Sequence, residues 1–151
     1  MIEPHFEIFY RNLSSIYREV QRIRCSYASK LDIKSVQVFW IFLLKEHPEG
    51  MIASQLAQAS KTDRSLVSRE MGTLIERKLV RYEKSEKKNA YARKMYLTAR
   101  GRKIADQIDQ ITMEIQNKVS KEIPDEEMKA FYRVLSALNT GFSEWKDEEI
   151  Q

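Results

Sequence analysis

Two apolar stripes with alternating spacings of three and four residues bound this chain and restrict it to a mainly α fold. Near the N-terminus Phe6, Phe9, Leu13, Ile16, Val20, Ile23 and Tyr27 keep that alternation. It predicts one helix of about 25 residues with a coiled-coil-like seam. Near the C-terminus Met128, Phe131, Leu135, Leu138, Phe142 and Trp145 repeat the pattern. Pro124 opens that helix, and Asp125, Glu126 and Glu127 fill its first turn, where carboxylates meet the positive end of the helix dipole. A third seam, Ile104, Ile108, Ile111 and Ile115, follows Thr98, which serves as its cap. Only four Gly and three Pro interrupt the chain, so long helices fit it better than many short strands.

The segment between the stripes has a different grammar. "VQVFWIFLLKEH" is apolar almost all round and predicts a buried central helix, opened after Asp32 and Ser35 and closed by Pro48 and Gly50. "IASQLAQAS" reads as a short helix with Leu56 and Ala57 turned inward. The next helix begins at Thr62 or Asp63, either of which can act as N-cap. At 100° per residue Val67, Met71, Leu74 and Ile75 share one face, while Ser65, Arg69 and Thr73 lie opposite and Leu66 leans outward. A short helix, a tight turn and an amphipathic helix make a helix-turn-helix. "LVRYEK" and "RKMYLT" then predict two short strands joined by the polar, basic "SEKKNAYA". The whole is a winged helix-turn-helix with long helices at both ends. Its parts are an N-terminal dimerisation helix at 1–33, a DNA-binding region at 34–100 and C-terminal dimerisation helices at 101–151. The recognition helix falls near 62–78 and the wing near 80–98.

Charge is distributed unevenly along this plan. Residues 61–103 hold fourteen Lys and Arg against five Asp and Glu, a balance of +9. Residues 1–60 carry +1 and residues 104–151 carry −6. A basic block of that size inside a folded stretch fits an electrostatic footprint for nucleic acid better than an ordinary solvated face. Three long amphipathic helices also exceed what one small module can cover, and bare stripes would leave large apolar patches. A two-fold homodimer closes them, with Phe6, Phe9, Leu13, Phe131, Leu135, Leu138, Phe142 and Trp145 as its dimerisation residues.

Other classes of function lack support. No apolar run approaches the roughly 18 residues of a membrane span, and "MIEPHFEIFY" lacks the basic start of a signal peptide. Cys25 stands alone, which points to a cytoplasmic protein rather than a disulfide framework. His5 and His47 have no spaced carboxylate or cysteine to complete a metal site, and no glycine loop cradles a phosphate. Neither an enzyme nor a cofactor is expected.

The order of elements resembles the MarR family of bacterial transcriptional regulators, over essentially the whole chain. "SQLAQASKTDRSLVSREMGTLIERKLV" is similar to that family's pattern around its recognition helix, and "YLTARGRKI" to its strand-to-helix junction. Three departures stand out. Lys78 occupies a place where the family usually has Gly, and Ile52 one where it often has a Thr or Ser cap. The family's wing commonly carries Asp-x-Arg, its Arg entering the minor groove, where this chain has Asn89 and Tyr91.

The resemblance implies a double-stranded DNA partner, a homodimer and a small-molecule effector. Phosphate contacts by Lys and Arg would supply affinity, and the outward face of the recognition helix would read the major groove. Ser65, Ser68 and Arg69 are the expected base readers, Thr62 and Arg64 stand near phosphate or base, and Lys87, Lys88 and Arg93 serve the wing. Leu66 would meet a thymine methyl. The plainer alternative pairs Arg64 or Arg69 with Glu70 or Asp63. Family members often hold anionic or aromatic ligands between dimer helices and wing domain; Tyr17, Tyr27 and Trp40 either line such a crevice or simply pack the core. Cys25, beside Arg24 and near Arg22, is either an oxidant sensor or an inert thiol. The competing reading is an adaptor whose basic face binds an acidic protein.

Overall fold

The computed structural model describes residues 6–84 and 92–147. Helix α1 spans Phe6–Lys30, α2 Ser35–Glu46, α3 Ala53–Ser60 and α4 Arg64–Glu76. Strands β1, Val80–Tyr82, and β2, Met95–Leu97, precede α5, Ala99–Val119, and α6, Asp125–Glu144. The chain forms two compact units, Met1–Ile111 and Thr112–Gln151.

In the first unit α2 is the central helix, as its apolar sequence requires. Val38, Trp40, Ile41, Leu43 and Leu44 are buried, although Phe42 remains 43% exposed and stacks on Phe39 at 6.0 Å. Around it close Leu56 and Ala57 of α3, Val67, Met71 and Leu74 of α4, Leu79 and Val80, Met95 and Leu97, and Ala105 and Ile108 of α5. These positions follow helical and strand periods, so each large apolar side chain among them contributes about 1.5–3 kcal/mol without bending its element. Only the C-terminal end of α1 joins this core, through Ala28.

The strands are shorter than the sequence suggests, three residues each, paired antiparallel from Val80↔Leu97 to Tyr82↔Met95. Met51 adds an isolated bridge to Met95, with N–H···O distances of 3.2 and 2.8 Å. Helix starts are secured by side chains. Ile52 offers α3 no side-chain cap, yet Gln55 Oε1 reaches back to the Ile52 N–H at 3.0 Å, which is half of a capping box. Gln37 Oε1 does the same for Lys34 at 2.9 Å.

The junction from β2 to α5 explains the family-like "LTARG". Thr98 caps α5, accepting from the Gly101 N–H at 3.0 Å, while its own N–H bonds the Leu79 carbonyl at 3.0 Å. A Cβ at Gly101 would stand 2.0 Å from that carbonyl oxygen, so only glycine fits. Left-handed backbone closes three helices without glycine: Asp32 has φ 55°, Lys61 52° and Lys78 59°. Lys78 thus has the conformation for which glycine is the usual residue.

The second unit contains the end of α5 and all of α6. Phe131, Val134, Leu138 and Trp145 are exposed, and no residue of α6 is buried in the single chain. Within the first unit the α1 stripe is similarly bare at Leu13, Ile16 and Val20.

Candidate nucleic-acid interface

The helix-turn-helix turn is held by a relay from the core. Trp40, fully buried, donates its indole N–H to Ser60 Oγ at 2.9 Å. Ser60 donates its hydroxyl proton to the Leu56 carbonyl at 2.6 Å and, with both lone pairs available, accepts from Thr62 Oγ1 at 2.7 Å. Lys61 takes the left-handed conformation, and the Thr62 N–H closes α3 on the Ala57 carbonyl at 3.0 Å. Trp40 is therefore a core residue, not the wall of a ligand crevice.

Of the two candidate caps, Asp63 is the one used. Its Oδ1 accepts the Leu66 N–H at 2.9 Å and the Ser65 hydroxyl at 2.8 Å. The Leu66 amide, then the Ser65 hydroxyl, hold the Asp63 carboxyl below its usual range, and Arg69 adds a smaller pull. Thr62 and Ser65 consequently spend their protons locally and present oxygen acceptors outward.

Arg64, Ser65, Ser68 and Arg69 are all exposed on α4, so one helix face brings together four of the expected DNA-contacting residues. Leu66 differs from expectation. It is half-buried and packs against the core rather than standing free on the outward face.

Glu70 is the main feature that sequence reasoning did not place. It is 5% exposed, with Lys34 Nζ at 3.0 Å from Oε2 and 3.1 Å from Oε1, and Gln37 Nε2 at 3.3 Å. Arg69 Nε stands farther off, 3.7 Å from Oε1, with its side chain 73% exposed. The anticipated local Arg69–Glu70 pair exists only at that margin. The sequence signal is position: Glu70 falls three residues after Val67 and four before Leu74, on the inward face.

Two wing lysines, Lys87 and Lys88, lie outside the described residues, as do Asn89 and Tyr91. Arg93 is described, and it does not extend freely outward. Its guanidinium covers the Tyr82 ring at 4.3 Å and donates to the Glu83 carbonyl at 3.3 Å, so it braces the strand pair. Arg81 makes a similar cross-strand contact with Tyr96 at 4.7 Å.

Next to α4 is an open cavity of about 360 Å³ lined by Cys25, Ser29, Lys34, Gln37, Thr73 and Arg77, among others. Arg77 pairs with the Asp32 carboxylate at 3.2 Å and donates to its backbone carbonyl. Cys25 is exposed there, but the nearby cations have other partners: Arg22 holds Glu19 at 2.8 Å, and Arg24 interacts with Tyr27. Burial pushes the Tyr27 hydroxyl pKa up against that pull. Tyr17 is exposed and accepts from Gln21 at 2.8 Å. His47 faces Glu49 at 2.9 Å, and among the described residues no cluster able to hold a metal ion is found. Nor is any described helix long and apolar enough to cross a membrane.

No protein-family model matches the chain, and no curated protein matches it in sequence. Solved structures do match in fold. Staphylococcus aureus MarR in complex with salicylate and kanamycin superposes with a TM-score of 0.83 at 16% identity, covering 92% of this chain and 93% of that one. A MarR transcriptional regulator from Methanosarcina mazei gives 0.77 at 20% identity, covering 91% and 98%. The S. aureus MepR–DNA complex gives 0.72 at 18% identity, covering 94% and 99%. The chain therefore has the winged-helix fold of MarR-family transcription regulators.

Proposed function

We propose that this protein is a sequence-specific DNA-binding transcriptional regulator that acts as a homodimer on a pseudo-palindromic operator. The observation that carries the reading is the exposed row Arg64, Ser65, Ser68 and Arg69 on α4, aimed by a turn locked to the core through Trp40, Ser60 and Thr62. In the major groove Arg69 can bridge guanine O6 and N7, while the acceptor oxygens of Ser65 and Thr62 suit exocyclic amines or phosphate-bound water. The basic stretch around them supplies salt-dependent phosphate contacts. The bare stripes of α1 and α6 supply the dimerisation surface, and two α4 helices about one DNA turn apart match a palindrome. The fold shared with MepR, solved on DNA, supports the same assignment.

Effector control belongs to this reading. The cavity beside α4 offers an anion Lys34 and Arg77 in competition with the Glu70 and Asp32 carboxylates they already hold, and the fold is shared with an S. aureus MarR solved with salicylate. The wing lysines Lys87 and Lys88 serve the backbone or minor groove.

The test is DNA selection from random fragments with the purified protein, repeated with Arg69→Ala. One palindromic site is expected, with the substitution costing about 1–3 kcal/mol there and relaxing one base position in each half-site. Lys87→Ala weakens all sequences alike and flattens the salt slope by about 1. Uniform recovery of every fragment would refute specific regulation and favour an adaptor that docks an acidic protein.

A further inference from the structure

We propose that Glu70 and Lys34 are positioning residues for base recognition. Lys34 holds the buried Glu70 carboxylate and so leaves the Arg69 guanidinium directed toward solvent. The proposal rests on α4 being the recognition helix. A carboxylate as buried as Glu70 requires a cation, since an ion withdrawn from water without a partner is strongly disfavoured. Among the described residues two cations stand within reach of it. Lys34 Nζ lies 3.0 Å from Oε2, and Arg69 Nε 3.7 Å from Oε1, beyond hydrogen-bond range. Lys34 therefore meets the requirement and Arg69 is spared it. Gln37 fixes the arrangement, because its amide joins the Lys34 N–H to Glu70 at 2.9 and 3.3 Å.

Lys34 sits at the α1–α2 junction, 36 residues before Glu70, and its side chain is 60% exposed on the edge of the cavity. Without its charge the buried carboxylate has one remaining cation among the described residues, and a short swing of Arg69 satisfies it. That swing folds the base-reading arginine back onto its own helix. Lys34 thereby governs specificity without touching a base. An anion that entered the cavity and captured Lys34 would act in the same direction.

The experiment uses the operator selected by the wild-type protein and a scrambled duplex, after thermal melts establish that each variant is folded. Lys34→Met is expected to weaken operator binding about tenfold, leave scrambled DNA unchanged, and relax the same base position as Arg69→Ala. Lys34→Arg retains wild-type binding, and the Lys34→Met/Glu70→Gln pair restores it by removing the charge that recruits Arg69. Lys34→Gln replaces Lys34→Met if the latter fails to fold. Equal losses on both duplexes would make Lys34 a phosphate contact and overturn the proposal, as would a double variant no better than the single one. If no operator is selected at all, the recognition reading falls first and this one with it. If the operator is selected and Lys34→Met binds it normally, only the positioning role is lost.

Discussion

Glycine in a helix normally weakens it, yet the two described helical glycines of the first unit carry opposite expectations. Gly101 lies in the first turn of α5, and a Cβ there would stand 2.0 Å from the Leu79 carbonyl oxygen and 3.1 Å from Leu97. Relief requires the β1 entry and the start of α5 to separate by roughly 1 Å. Such overpacking costs about 1–3 kcal/mol. The displaced carbonyl also accepts the Thr98 N–H at 3.0 Å, and losing that bond adds about 1 kcal/mol. Alanine's better helix propensity returns about 1 kcal/mol. The net for Gly101→Ala is a loss of about 1–3 kcal/mol, a sizeable part of the 5–15 kcal/mol expected of a whole domain. Gly72, by contrast, is in the middle of α4 with nothing within 4 Å of its would-be Cβ. Gly72→Ala should gain about 0.5–1 kcal/mol from propensity alone. Urea unfolding followed by circular dichroism, at one fixed protein concentration, reads both. Two variants moving in the same direction would refute the close approach at Gly101.

The turn relay offers a second handle. Ser60→Ala strips the acceptor from the buried Trp40 indole N–H and should cost about 1–3 kcal/mol in the same unfolding assay; an unchanged midpoint would remove the relay from the account. Lys78→Gly relieves a left-handed backbone at φ 59° and should stabilise by a few tenths to about 1 kcal/mol. Asp63 has a depressed carboxyl pKa, so its contribution is full above the unfolded-state value of about 3.9 and is lost as pH falls through the lower folded value. Asp63→Asn, which keeps a capping oxygen but no titration, should therefore flatten the acid limb of a stability-versus-pH curve; an unaltered limb would deny Asp63 that role.

What the sequence disclosed was mostly periodic. The three-and-four spacing of α1, α5 and α6, the inward face of α4 and the Thr98 cap all concern residues near one another in the chain, where geometry follows from spacing. The Lys34–Glu70 bond escapes such a reading because its partners are 36 residues apart: spacing puts Glu70 on the inward face of α4, but nothing local names Lys34 as its cation. Trp40 and Ser60 are likewise 20 residues apart. Leu66 departs from its expected outward place because a helical wheel describes one helix and says nothing of the core packed against its flank. Arg93 has the look of a free wing cation until strand pairing sets the Tyr82 ring beneath it. Asp63 rather than Thr62 is the cap because the Thr62 N–H still closes α3 on Ala57, while the extended Asp63 stands directly before α4.

The left-handed lysines give the fold an internal disagreement. Lys61 and Lys78 occupy backbone where glycine would be at ease, and both are exposed within the stretch of +9 charge. Replacing both would ease the chain and dilute that stretch to +7. For every DNA phosphate that a protein ceases to neutralise, the exponent of its salt dependence falls by about 0.9. A programme of thermostabilisation guided by backbone strain would choose these two positions early. If the proposed DNA binding holds and both lysines neutralise phosphates, its product would be a sturdier protein that releases DNA at lower ionic strength. On that reading, durability and electrostatic reach are alternatives at Lys61 and Lys78, and the chain carries charge where glycine would relax the backbone.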